Sequence, residues 1–198
     1  MFNIQDWVIE IFGPSGEWGI VLCVFIIFLI DGFGIPTLPE LFFATLFLFN
    51  PTDLFFGLQL LIAAILAEVA GVTILYWVVG HLTVPKRIER VMNKYVDFLI
   101  LKDERLLLLN RIAPMLPFSG AFVKIAGWDL KKSIMYVVIG CILKYGAILL
   151  MSNFFSSYFS SNIAQMVTIG FIIAVIVISF VASTIAKKRL SIEKDQSE

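Results

Sequence analysis

Residues 106–127 read LLLLNRIAPMLPFSGAFVKIAG, and they decide the fold. Their apolar content suits a membrane helix, yet Arg111, Pro114, Pro117, Gly120 and Lys124 interrupt it. Each proline removes a backbone donor and clashes with the preceding turn, so carbonyls are left without helical partners. At membrane depth such carbonyls are tolerated only where protein or a water-filled cavity satisfies them. The stretch therefore predicts a re-entrant helical hairpin rather than a straight crossing.

The sequence around it is that of an all-α membrane protein. Hydrophobic residues make up 60% of the chain and charged residues 15%, against roughly 25% in ordinary soluble domains. A soluble fold cannot cover that much apolar surface. Four apolar runs read as crossing helices, each crossing needing roughly 20 residues: Trp18–Ile30, whose end is disturbed by Asp31 to Pro36, Leu58–Val79, Ser133–Met151 and Ile163–Ala186. A fifth, Leu41–Phe49, lies between Pro39-Glu40 and Asn50-Pro51 and is about half that length, so residues 36–56 predict a first re-entrant hairpin. Residues 106–127 form the second.

Two stretches have the mixed pattern of interfacial helices. Residues 1–13 set Phe2, Trp7, Val8, Ile11 and Phe12 among polar neighbours, and residues 81–105 interleave basic and acidic groups with Ile88, Val91, Tyr95 and Phe98. Trp18, Trp77, Trp128 and Tyr136 read as interfacial aromatics, with His81 at the end of the second crossing. Residues 1–186 form a single membrane domain, and the charged tail 187–198 predicts disorder. No Lys or Arg precedes the first apolar run, so that run is expected to be retained rather than cleaved as a signal peptide. Cys23 and Cys141 lie far apart within apolar runs and read as small core hydrophobes.

Basic residues fix the orientation, because short cytoplasmic loops collect Lys and Arg. With four crossings, two hairpins and both termini inside, twelve of the fifteen basic residues fall on the cytoplasmic side. The other three, Arg111, Lys124 and Lys144, lie within apolar segments. The hairpins then enter from opposite faces and meet near the midplane, the layout of an inverted repeat. The expected location is the cell membrane, with multiple passes.

Five ionisable groups fall in apolar or broken segments: Glu40, Glu68, Arg111, Lys124 and Lys144. Facing lipid, each would cost about 2.5–3.5 kcal/mol or more, so each should face a partner or the protein interior. Glu40 follows Pro39 at a helix start, where a carboxylate also serves as an ordinary dipole partner. Glu68 sits mid-helix, so its alternatives are a buried structural pair or a proton-binding site. Arg111 either locks the hairpin to a carboxylate or binds an anion bidentately. Lys124 can snorkel to the inner interface. Lys144 lies too deep for that and is the stronger candidate for substrate binding. No metal site, cofactor motif, phosphate loop or nucleophile elbow occurs, so neither an enzyme nor a nucleic-acid partner is indicated.

In order and spacing these features resemble the DedA family, also described as SNARE-associated or VTT-domain proteins, from about Trp18 to Met151. The likeness rests on Ile35-Pro36-Thr37-Leu38-Pro39-Glu40, on Ala67-Glu68 with Gly71, Tyr76, Trp77, Val79 and Gly80, and on Arg111-Ile112-Ala113-Pro114 followed by Ala126-Gly127 and the Met135–Gly146 helix. Where the family often carries a second arginine, this chain has Pro117; Lys124 or Lys144 is left to supply that charge. The resemblance implies two opposed re-entrant hairpins, Glu40 and Glu68 as essential acids, and Arg111 as the essential base. It also implies lipid movement across the bilayer: recycling of polyprenyl-phosphate carriers, phospholipid translocation, and dependence on the proton-motive force.

The function expected is a transporter or flippase for a phosphate-bearing lipid, with protons as co-substrate. Its rivals are a proton-coupled small-solute carrier, a passive lipid scramblase and a non-transporting assembly factor. Homo-oligomerisation stays open.

Overall fold

The computed structural model describes residues 16–35, 37–47, 50, 53–81, 103–112, 116 and 118–158, with five isolated helical residues between 170 and 181. Among them the chain is helical without strands: α1 Gly16–Gly32, α2 Pro39–Phe47, α3 Leu54–His81, α4 Leu106–Ile112, α5 Ser119–Ile125 and α6 Leu130–Tyr158.

Among the described residues, two helices are long and apolar enough to cross a membrane: Leu54–His81, with 28 residues, and the 25-residue part Leu130–Phe154 of α6. At 1.5 Å per residue, α3 is about 42 Å long, more than the roughly 30 Å of a hydrocarbon core. Only 39% and 28% of their most apolar windows are buried. Their outward faces nevertheless carry Leu58, Ile62 and Leu66 on α3 and Met135, Ile139, Ile142 and Leu143 on α6. A helix apolar on both faces needs an apolar surrounding as well as an apolar core.

The core is aromatic where α1, α2 and α6 converge. The Tyr145 ring stands 4.8 Å from Phe28 and 5.1 Å from Phe43, and those two phenylalanines are 5.9 Å apart. All three are fully buried, and tilted or edge-on contacts of this kind add to the stabilisation from buried area. α1 crosses α3 at Gly32 and Gly71, where a Cβ added to Gly71 would lie 2.8 Å from the Gly32 Cα. Any larger residue at either position would push the two helices apart.

The first helix runs on through Asp31 and Gly32, past the expected end at Ile30. α3 starts at Leu54, so the last residues of the expected first hairpin belong to it; Asp53 accepts hydrogen bonds from the Phe55 and Phe56 amides and caps its start. α6 continues to Tyr158 through Ser152 and Asn153, past the expected end at Met151. Serine and asparagine lower helix propensity by only a few tenths of a kcal/mol, which apolar neighbours offset. Trp128 is buried in the core rather than placed at an interface, while Trp18 and Trp77 are exposed. Residues 1–13, most of 81–105, nearly all of 163–186, and the tail 187–198 lie outside the described residues.

Two chain breaks position the site. Leu38, just before α2, and Phe118, just before α5, both hold left-handed backbone, with φ of 52° and 56°. For bulky L-residues this costs about 1–2 kcal/mol each. The two breaks are adjacent, since a Cβ on Gly34 (φ +85°) would lie 2.7 Å from the Phe118 amide nitrogen.

Candidate functional site

Pro114 and Pro117 stand in the sequence between α4 and α5, and the Leu116 backbone there finds its partners in Asn110. The Leu116 amide donates to the Asn110 Oδ1 (2.6 Å), while the Asn110 side-chain amide donates to the Leu116 carbonyl (3.3 Å) and the Ser119 hydroxyl (3.2 Å). One side chain thus staples the break that the prolines open, and it fixes the end of α4 where Arg111 stands.

Arg111 is buried and points into the helix bundle. Its stem fits against Gly140 of α6, where an added Cβ would come 2.7 Å from the Arg111 Cγ. Its guanidinium donates to Glu68 Oε1 of α3 at 2.6 Å and lies 3.6 Å from Asp31 Oδ2 of α1. Thr37 donates to the other Asp31 oxygen at 3.4 Å. Glu68 is wholly buried, and the Asp31 and Glu68 carboxyls interact directly with each other. Three helices therefore bring two acids onto one base, and the Gly32–Gly71 crossing makes that approach possible.

A second ion pair joins Glu40 of α2 to Lys144 of α6, both mostly shielded. The Lys144 ammonium also lies 5.5 Å from the Tyr145 ring centroid. One face of α6 links the two clusters: Gly140 and Cys141 lie beside Arg111, and Lys144 and Tyr145 follow one turn on. Tyr145 is close enough to feel the charges of Glu40, Glu68 and Arg111.

Of the residues singled out in sequence, Glu40, Glu68, Arg111 and Lys144 are thus gathered around α6. Lys124 is apart from them. It is exposed on α5, its ammonium 4.9 Å from the Tyr76 ring and its stem against Gly80. His81 is exposed, with Nδ1 2.8 Å from the Trp77 carbonyl. Asp31 and Asn110 were not foreseen. Asp31 stands beside a Gly-rich turn and passes for a loop residue, although it lies in the same apolar surroundings that single out Glu68.

Counting charges across the gathered groups, Asp31, Glu40 and Glu68 face Arg111 and Lys144, which leaves one negative charge unbalanced. A buried uncompensated charge is costly, so a cluster of this composition calls for one proton or one cation. Three of its polar atoms, Glu68 Oε2, Arg111 Nε and Tyr145 Oη, are buried without a hydrogen-bond partner among the described residues. An unmet buried group costs about 1–3 kcal/mol, so three in one cluster mark a place where stability is given up. Among the described residues, no group of three His, Cys, Asp or Glu is placed to hold a metal ion.

Comparison with family models, characterised proteins and solved structures finds no match.

Proposed function

We propose that the chain is a proton-coupled transporter of a phosphate-bearing lipid, built on the four-crossing, two-hairpin plan of the DedA family that its motifs resemble. On this reading it is a multi-pass protein of the cell membrane with both termini in the cytoplasm. α2 and the α4–α5 pair are the inner ends of two opposed re-entrant hairpins. The observation that carries the reading is the unbalanced buried cluster at the adjoining breaks.

The unbalanced charge assigns roles to its members. Lys144 matches Glu40 one to one, and this pair supplies the second base that Pro117 does not. Arg111 is shared between Asp31 and Glu68, so the coupling proton is assigned to Glu68, the wholly buried acid of the two. When it is bound, the cluster is neutral and the Arg111 guanidinium is freer to engage an anionic headgroup. Proton binding and phosphate binding then favour each other, which is the linkage a coupled carrier needs. Lys124 serves as an interfacial anchor away from the substrate.

The test is thermal stability of the purified protein in mixed micelles containing phosphatidic acid or, as the phosphate-free control, diacylglycerol with the same chains. A ligand that binds the folded state raises its melting temperature. Selective stabilisation by phosphatidic acid, lost in Arg111→Ala, is the expected result; equal responses to the two lipids would contradict it. The pairing of both bases with acids favours a second reading, an assembly factor whose ion pairs only hold the hairpins together. That reading predicts lower melting temperatures in the charge variants and no lipid selectivity in any of them.

A further inference from the structure

α3 is gripped twice in the turn that follows Glu68. Gly71 and Val72 come three and four residues after Glu68, on the same face of the helix. On one side, a Cβ added to Gly71 would lie 2.8 Å from the Gly32 Cα and 3.0 Å from the Leu29 carbonyl oxygen of α1. On the other, a Cβ added to Gly120 of α5 would run into the Val72 carbonyl oxygen and stand 3.1 Å from the Tyr76 amide nitrogen. Backbone meets backbone in both places, so no side-chain rotation makes room for a larger residue. The third side is Gly34 against Phe118, where an added Cβ would lie 2.9 Å from the Phe118 Cα. Local hydrogen bonds brace the corners: the Gly34 amide donates to the Asp31 carbonyl at 2.7 Å, and the Ala121 amide to the Phe118 carbonyl at 2.9 Å. α1, α3 and α5 thus close a triangle of backbone contacts, with a chain break at two of its corners.

We infer that Gly71 and Gly120 are positioning residues that tie both chain breaks to the turn of α3 after Glu68, so that a change in the Glu68–Arg111 bond reaches the two breaks together. This rests on the Glu68 proton of the function proposed above and names the part of the fold that carries its effect. A proton on Glu68 replaces the charged hydrogen bond to Arg111 with a weaker one, which loosens α4 from α3. Close-packed backbone has no slack to absorb the shift, so it passes to whatever is locked to the same turn. The charged and titratable groups around Glu68 are Asp31 from α1, Arg111 from α4, and Cys141 and Tyr145 from α6, with the Glu40–Lys144 pair of α2 and α6 beyond them. α5 adds Lys124, which lies over Tyr76.

Hydrogen exchange of the full-length protein tests this, read by mass spectrometry on peptides containing the Gly34 and Ala121 amides across a pH series, after correction for the intrinsic pH dependence of exchange. The wild type is expected to change protection at both amides with one shared midpoint, and Glu68→Gln to lose the response at both. Gly120→Ala touches only α5 and α3, yet it is expected to flatten the response of the Gly34 amide as well. Gly71→Ala, which touches α1 and α3, is expected to flatten that of Ala121. Gly57→Ala is the packing control on the same helix: its Cβ would meet the Phe47 ring at 2.8 Å, so it lowers the melting temperature and leaves both responses intact. The two junction variants act from different sides of α3, so the test holds when either one folds. Effects confined to the break that each glycine touches make these local packing residues and overturn the inference alone. A wild type in which neither amide responds, or a response that survives in Glu68→Gln, overturns it together with the Glu68 proton. If the exchange pattern is as expected and phosphatidic acid is not translocated, the junction stands and the lipid reading falls.

Discussion

Removing Arg111 leaves the Glu68 carboxylate buried without a base, which in protein interiors costs about 3–5 kcal/mol. Arg111→Met is therefore expected to lower unfolding stability by that order in chemical denaturation, Glu68→Ala to cost less because Asp31 still faces Arg111, and the double change to cost clearly less than the two single changes added together. Additive losses would mean that the two residues do not stabilise each other. The same residue-scale logic shows what the sequence could reveal. A charge in an apolar run has few bland explanations, so Glu40, Glu68, Arg111 and Lys144 stood out. Asp31 did not, because a carboxylate next to Gly32 and Gly34 reads as part of a turn. Asn110 is uncharged and looks like a flaw in a leucine run, whereas its side chain holds the α4–α5 break closed. Tyr145 is one aromatic among many; only the three-dimensional packing shows that its hydroxyl has no partner among the described residues.

At the scale of elements, the start of α6 is tied down by two carboxylates outside the apolar part of the helix. Asp129 accepts from the Lys132 amide at 2.9 Å, and Glu104 accepts from the Asp129 amide at 3.0 Å. These bonds hold Glu104 below its ordinary 4.5 and Asp129 below its ordinary 3.8. A carboxylate depressed in the folded state contributes stability that is present above its ordinary pKa and is lost as pH falls through the folded value. The melting temperature is therefore expected to decline below about pH 4, and Asp129→Asn to flatten that decline in a calorimetric pH series. An unchanged acid limb would mean that the tie contributes nothing. The helices themselves were legible from apolar length, but their ends were less so. α6 outruns its serines because propensity is weak beside packing. The left-handed residues Leu38 and Phe118 could not be read either, since neither is a residue that favours that backbone.

For the whole molecule, the adjoining breaks and the one unbalanced charge matter together. A rigid apolar bundle with neutral ion pairs would have no cause to respond to protons. On the proposed function, a cluster one proton short of neutrality ties protonation to the packing of α1, α3, α4 and α6. The most direct measurement is translocation of a fluorescent phosphatidic acid in proteoliposomes, with and without an imposed pH gradient, for the wild type and for Asp31→Asn with Glu68→Gln. The account predicts translocation that follows the gradient in the wild type and loses that dependence in the double variant. Gradient-driven translocation that persists unchanged in the double variant, or no translocation by the wild type, would contradict it.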